Sequence, residues 1–166
     1  DTVNEYSVFS VMAAKVSSCT GLAVYLSAVL RSCGIPARVA GVPHWNLGKQ
    51  TCPDGDASSS CGNHDWVEVY LADQQRWAFV DPAGSLTINS GWFYPSHTKF
   101  QVHTTGPSIS NHSIYASSYA SRSWQEKHLK LYPVSFPVTH FPMVWNWTNN
   151  EVGGWERTLW YSSLDN

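Results

Sequence analysis

A chain of 166 residues and 18.5 kDa is long enough to bury a real core and points to one domain spanning residues 1–166. A formal charge of -2 and a pI near 6.4 leave no electrostatic footprint for nucleic acid or an anionic membrane surface. Charged residues make up 13% and aromatic ones 14%, against about 25% charged in average proteins, so the surface is expected to be ring-rich or to meet further segments. The longest apolar run, Leu22 to Leu30, is far short of the roughly 20 residues a membrane span needs. The chain opens on Asp1 rather than Met and shows no signal peptide, which points to a processed or excised form.

The first chemically loaded stretch is Ser17-Ser18-Cys19-Thr20-Gly21, opening an apolar run that ends at Gly34-Ile35-Pro36-Ala37-Arg38. Leu22, Leu26, Val29, Leu30 and Cys33 recur at helical spacing and predict a buried stripe. Ser17 or Ser18 caps the start, Gly34 suits the end, and Pro36 blocks continuation. Cys19 therefore falls on the first turn, where unpaired backbone N–H groups and the positive dipole end favour a thiolate. The same N–H groups suit an oxyanion formed when that thiolate attacks a carbonyl. The bland reading of a helical cysteine is a small buried hydrophobe, and Cys33 on the stripe takes that reading.

Cys52 and Cys61 flank a polar, turn-rich Pro-Asp-Gly-Asp-Ala-Ser-Ser-Ser loop. A disulfide closing this loop is the first expectation, implying an oxidising compartment and a secreted or extracellular protein. A zinc site using both cysteines with His44 or a neighbouring histidine is the weaker alternative, since the spacing is wide for a zinc knuckle. The sequons Asn111-His112-Ser113 and Asn146-Trp147-Thr148 add little weight to secretion.

From His64 to Leu71 the chain alternates, with Val67, Val69 and Leu71 on one face and His64, Trp66, Glu68 and Tyr70 on the other. Ala72-Asp73-Gln74-Gln75 predicts a turn and Arg76 to Val80 a return strand, which sets Trp66 opposite Asp81 and His64 about one pair further along. An Asp81 carboxylate so placed can reach the His64 imidazole, select its tautomer and stabilise the imidazolium. A lone histidine is more often structural; the carboxylate across a hairpin and the upstream helix-start cysteine favour chemistry. Asp65 and Glu68 remain alternative acidic partners.

Beyond Tyr94 the signals weaken. Thr98 to Thr105 reads as a strand and Tyr115 to Leu131 as containing a helix, with Ser123 and Glu126 as a capping box. Short strand-like pieces lie around Pro142 to Trp145 and Arg157 to Tyr161. This half is expected to complete the sheet and one side of a cleft. His97, His103, His112, His128 and His140 have ordinary surface or packing readings.

Cys19-Thr20-Gly21-Leu22, Leu30-Arg31-Ser32-Cys33-Gly34-Ile35-Pro36-Ala37-Arg38-Val39, His64-Asp65-Trp66-Val67-Glu68-Val69 and Trp77-Ala78-Phe79-Val80-Asp81-Pro82 together resemble the core of the transglutaminase-like superfamily. The resemblance covers residues about 8 to 95. It implies an α+β, papain-like fold with the nucleophile helix packed on an antiparallel sheet, and Cys19 as nucleophile, His64 as base and acid, and Asp81 as orienter. Gly62-Asn63-His64, Asn89-Ser90-Gly91-Trp92-Phe93 and Phe141-Pro142-Met143-Val144-Trp145 are similar to a microbial, often secreted subgroup. Thr20 stands where the animal crosslinking enzymes usually carry an aromatic residue, no calcium-loop pattern is present, and the paired CxxC zinc motifs of peptide N-glycanases are missing. No cofactor and no metal are implied.

The expected chemistry is attack of Cys19 on a protein or peptide carboxamide, protonation of the departing amine by His64, and a thioester open to water or to a primary amine. Trp45, Trp66 and Trp92 are candidates for an acceptor tunnel; with nine Trp in the chain, core packing is the bland reading of most. The alternative function is a non-catalytic binding or structural domain retaining the fold.

Overall fold

The computed structural model describes residues 7–48, 62–103, 110, 112–118, 135–138, 140–142 and 152–164. They group into two units, one within residues 1–40 and 65–94, the other within residues 41–64 and 95–166. The class is α+β with antiparallel strand pairings, as expected.

In the first unit, helix α1 (Val8–Ala14) stops at Lys15, whose left-handed φ of 56° ends the turn while its N–H donates to the Val11 carbonyl at 2.9 Å. Helix α2 (Cys19–Ser32) follows, with Ser18 as N-cap and Cys19 as its first residue. Its far end is a Schellman closure: Ile35 N–H donates to Leu30 O at 2.9 Å and Gly34 N–H to Arg31 O at 3.0 Å. Gly34 takes the φ of +77° that this closure requires and that a side chain resists. The face that α2 buries is not the expected leucine stripe. Thr20, Gly21, Ala23 and Ser27 are buried, whereas Val29 and Cys33 are exposed and Leu22, Leu26 and Leu30 are half-buried. The buried positions are thus small residues, and Leu26 and Leu30 instead line an open apolar cleft of about 540 Å³ with Ile35, Val69, Leu86 and Ile88.

Strands β1 (Ala37–Val42), β2 (His64–Leu71) and β3 (Arg76–Val80) run in the order β3-β2-β1, and the first unit holds β1 through Ala40 and β2 from Asp65. The β2–β3 hairpin has the expected register, Val67 opposite Val80 and Leu71 opposite Arg76, about a turn at residues 72–75 with Gln75 at φ 52°. β2 is buried on both faces rather than one. Val69 and Val80 line the cleft beside α2, and on the other face Trp66 packs its ring against Phe79 and Phe93 at centroid distances of 5.5 and 5.2 Å. Arg38 on β1 meets the buried carboxylate of Glu68 on β2 at 2.7 Å and lies over the Trp77 ring at 4.1 Å.

In the second unit, β4 (Tyr115–Ser118), β5 (Phe136–Val138) and β6 (Gly153–Glu156) form antiparallel pairs in the order β4-β6-β5, followed by helix α3 (Thr158–Ser163). Two sequence expectations are corrected here. Thr98–Phe100 is a 3-10 turn, not a strand. The side-chain amide of Gln101 takes the backbone of Asn46, accepting its N–H at 3.1 Å and donating to its carbonyl at 2.9 Å, as a strand neighbour would otherwise do. Tyr115–Ser118 is a strand paired with β6, ahead of the helix expected from Ser123. Thr158–Ser163 is helical where strand was expected: Arg157 N–H donates to Ile114 O at 2.8 Å, and Thr158 Oγ1 accepts Ile114 N–H at 2.9 Å. The Ser123–Glu126 capping box, the strand expected at Met143 to Trp145 and the Cys52–Cys61 pair with its zinc alternative lie outside the described residues.

Glu156 ends β6 fully buried, accepting from Thr158 N–H at 3.2 Å and facing His103 Nδ1 at 3.2 Å. Burial pushes its carboxyl above the ordinary 4.5, and Thr158 and His103 pull it part of the way back. A raised carboxyl contributes stability that is fully present below the unfolded value and is lost as pH rises through the folded one. Glu156→Gln is therefore expected to gain stability relative to the unaltered protein as pH rises above 4.5. Urea midpoints across that range check it; a gap that stays constant with pH would refute the assignment.

Candidate active site

The three residues singled out for chemistry sit at or next to the ends of regular elements. Cys19 is the first residue of α2 and is half-buried. The Ser18 hydroxyl lies 3.5 Å from Gly21 N, and Leu22 N–H donates to Ser18 O at 3.0 Å, so the first turn is formed. The earliest amides of any helix have no partner within it, so they face whatever group the first turn presents.

His64 opens β2 and is buried, with 3% of its surface exposed. Asp81 follows the last residue of β3 and is fully buried. Continuing the Val67–Val80 register by one pair sets Asp81 opposite Trp66. By strand alternation His64 shares the Trp66 face of β2, whereas Asp65 shares the α2 face with Val67 and Val69.

A loop holds Asp81 in place. Its Oδ1 accepts Ala83 N–H at 2.9 Å, its carbonyl accepts Gly84 N–H at 3.2 Å, and a bridge joins it to Ser85. Asn89, at φ 54°, closes the same loop onto β3, donating its N–H to Phe79 O at 2.8 Å and accepting Phe79 N–H on Oδ1 at 2.9 Å. A Cβ on Gly91 would come 3.0 Å from the Phe79 ring and 3.5 Å from the Asp81 Cβ, so a side chain here would press on that ring. Asn89 was marked in the sequence only as part of the Asn89-Ser90-Gly91-Trp92-Phe93 motif, with no bracing role assigned.

The two alternative acids are otherwise engaged. Asp65 accepts the Thr20 hydroxyl at 2.5 Å, and Glu68 holds Arg38. Of the three tryptophans weighed for a tunnel, Trp66 is fully buried core. Trp45 packs on Gly62 in the second unit and takes its carbonyl at 2.9 Å. Trp92 keeps 42% of its surface exposed, and its Cδ1 and Asp81 Oδ2 both lie 3.4 Å from a Cβ position on Gly84. Among the described residues no three His, Cys, Asp or Glu side chains gather to hold a metal ion, and no single helix is long and apolar enough to cross a membrane.

Cys19 thus heads a helix, and His64 and Asp81 stand at the ends of a strand pair in an α+β fold. Residues 2–82 match the family model of the transglutaminase-like superfamily, and the chain carries that superfamily's core. The superfamily is typically one of thiol-dependent acyltransferases and proteases. No curated protein and no solved structure matches the chain.

Proposed function

We propose that the protein is a thiol-dependent acyl-transfer enzyme acting on carboxamide or peptide groups of proteins. The Cys19 thiolate adds to the carbonyl carbon, and the oxyanion so formed is held by amides of the first turn of α2. The tetrahedral intermediate collapses as His64 passes its proton to the departing nitrogen, breaking the C–N bond and leaving a thioester on Cys19. His64 then takes a proton from the incoming water or primary amine, which displaces the thiol. Asp81 orients and stabilises the imidazolium.

The observation that carries this reading is the hairpin register, which sets the buried Asp81 carboxylate opposite Trp66, on the face that His64 shares by alternation. Engagement of Asp65 and Glu68 elsewhere supports Asp81 in the orienting role. The open apolar cleft beside α2 favours, as a second reading, a binding domain that keeps the fold without turnover.

A glutamine-rich protein substrate offered with a fluorescent primary amine tests the proposal. Ammonia release with amine incorporation identifies a transferase, and ammonia release alone a hydrolase; both signals should vanish in Cys19→Ala. No release of ammonia or peptide fragments, with iodoacetamide labelling Cys19 equally fast in the unaltered protein and in His64→Ala, would leave the binding domain.

A further inference from the structure

The residue after the proposed nucleophile and the residue after the proposed base are bonded to one another. Thr20 Oγ1 donates to Asp65 Oδ2 at 2.5 Å across 45 positions of sequence, and both side chains are nearly sealed, at 2% and 6% exposure. A hydroxyl-to-carboxylate bond this short is of the charge-assisted kind, roughly twice as strong as a neutral one. A carboxylate buried on the α2 face of β2 is costly unless it is satisfied, so the bond fixes where the start of the helix can sit. The branched Cβ of Thr20 leaves few rotamers, which transmits the constraint to its backbone. Cys19 shares a peptide unit with Thr20, and His64 shares one with Asp65.

We infer that the Thr20–Asp65 bond is a positioning clamp that holds the nucleophile's helix start in register with the strand end carrying the base. The inference rests on the acyl-transfer reading above. Neither residue touches substrate in this role. Thr20 works through Cys19 and Asp65 through His64, and a displacement of about 1 Å between reacting groups can cost on the order of 100-fold in rate. Asp65 on this account is a structural anion and not an alternative orienter, which separates its expected behaviour from that of Asp81.

The test uses iodoacetamide, a reagent small enough to ignore substrate binding, and reads the Cys19 alkylation rate by peptide mass mapping in a His64 and in a His64→Ala background. Thr20→Val, which keeps the shape and removes the hydroxyl, is expected to lower the His64-dependent part of the rate by about 10- to 100-fold and to leave the His64→Ala background rate unchanged. Thr20→Ser should restore it, and Asp65→Asn alone, which keeps an acceptor but not the charge, should lose far less than Thr20→Val. Thr20→Val combined with Asp65→Ala should be no slower than Asp65→Ala alone, because the two act as one unit. A purely structural bond would shift the melting temperature but leave the ratio between the two backgrounds intact; that result, or additive losses in the double variant, overturns the clamp while the catalytic reading survives. Equal rates in the unaltered protein and in His64→Ala would overturn both. Should Thr20→Val fail to fold, Thr20→Ala and Thr20→Ser provide the same comparison.

Discussion

Asp81→Asn is expected to lower acyl-transfer kcat by about 10³- to 10⁴-fold while leaving the protein folded. The substitution is conservative where the fold needs it, since the amide oxygen can still accept the Ala83 N–H that Asp81 Oδ1 accepts at 2.9 Å. The Gly84 N–H goes to the backbone carbonyl and is untouched. What changes, on the proposed assignment, is the charge offered to the imidazole. An amide cannot stabilise an imidazolium as a carboxylate does, and its NH₂ group can present a donor where an acceptor is wanted, which selects the wrong tautomer. KM should stay within a few-fold, because the loss falls on the transition state and not on substrate binding. Steady-state kinetics with the amine-incorporation assay, alongside a melting curve, decide the matter, with Cys19→Ala setting the floor. A kcat within about three-fold of the unaltered protein, with the melting temperature preserved, would remove Asp81 from the site and return the role to another acid.

What the sequence allowed was strongest where the physics is local. The hairpin about residues 72–75 was readable because strand alternation and the turn length leave one register that keeps Val67 and Val69 together. Gly34 was readable because few residues other than glycine close a helix with positive φ. The buried face of α2 was not, because hydrophobicity ranks Leu26 above Ala23 and Ser27, whereas burial here falls on the small side chains and Leu26 lines the cleft. The engagements of Asp65 with Thr20 and of Arg38 with Glu68 span 45 and 30 positions, and periodicity says nothing of contacts at that range. The same limit hid α3, whose start is set by the exchange between Ile114 and the Arg157–Thr158 backbone and side chain rather than by any cap in the sequence. Motif spacing picked out Cys19, His64 and Asp81 as candidates, while the contacts around them become visible only in three dimensions.

Arg38→Ala should be the most destabilising single substitution in the β1–β2 pair, at about 3–5 kcal/mol. Glu68 is fully buried, and the guanidinium meets its Oε2 through both Nε and Nη2 at 2.7 Å. The same guanidinium covers the Trp77 ring at 4.1 Å. Truncating Arg38 strands a carboxylate inside the unit and uncovers an indole, so the loss exceeds the worth of the pair itself. Arg38→Lys should fall in between, since an ammonium cannot reproduce the planar fork or the stacking. The informative variant is the double one, Arg38→Met with Glu68→Leu, which removes the buried charges and keeps similar volume. It should recover most of the stability lost in Arg38→Ala, because desolvating both ions costs about as much as their attraction returns. Urea unfolding of the three variants is the measurement. A double variant as unstable as Arg38→Ala would mean that the pair does more than neutralise itself, fixing the register of β1 against the strand that begins at His64. A loss below about 1 kcal/mol in Arg38→Ala would show that water reaches Glu68 once the guanidinium is gone.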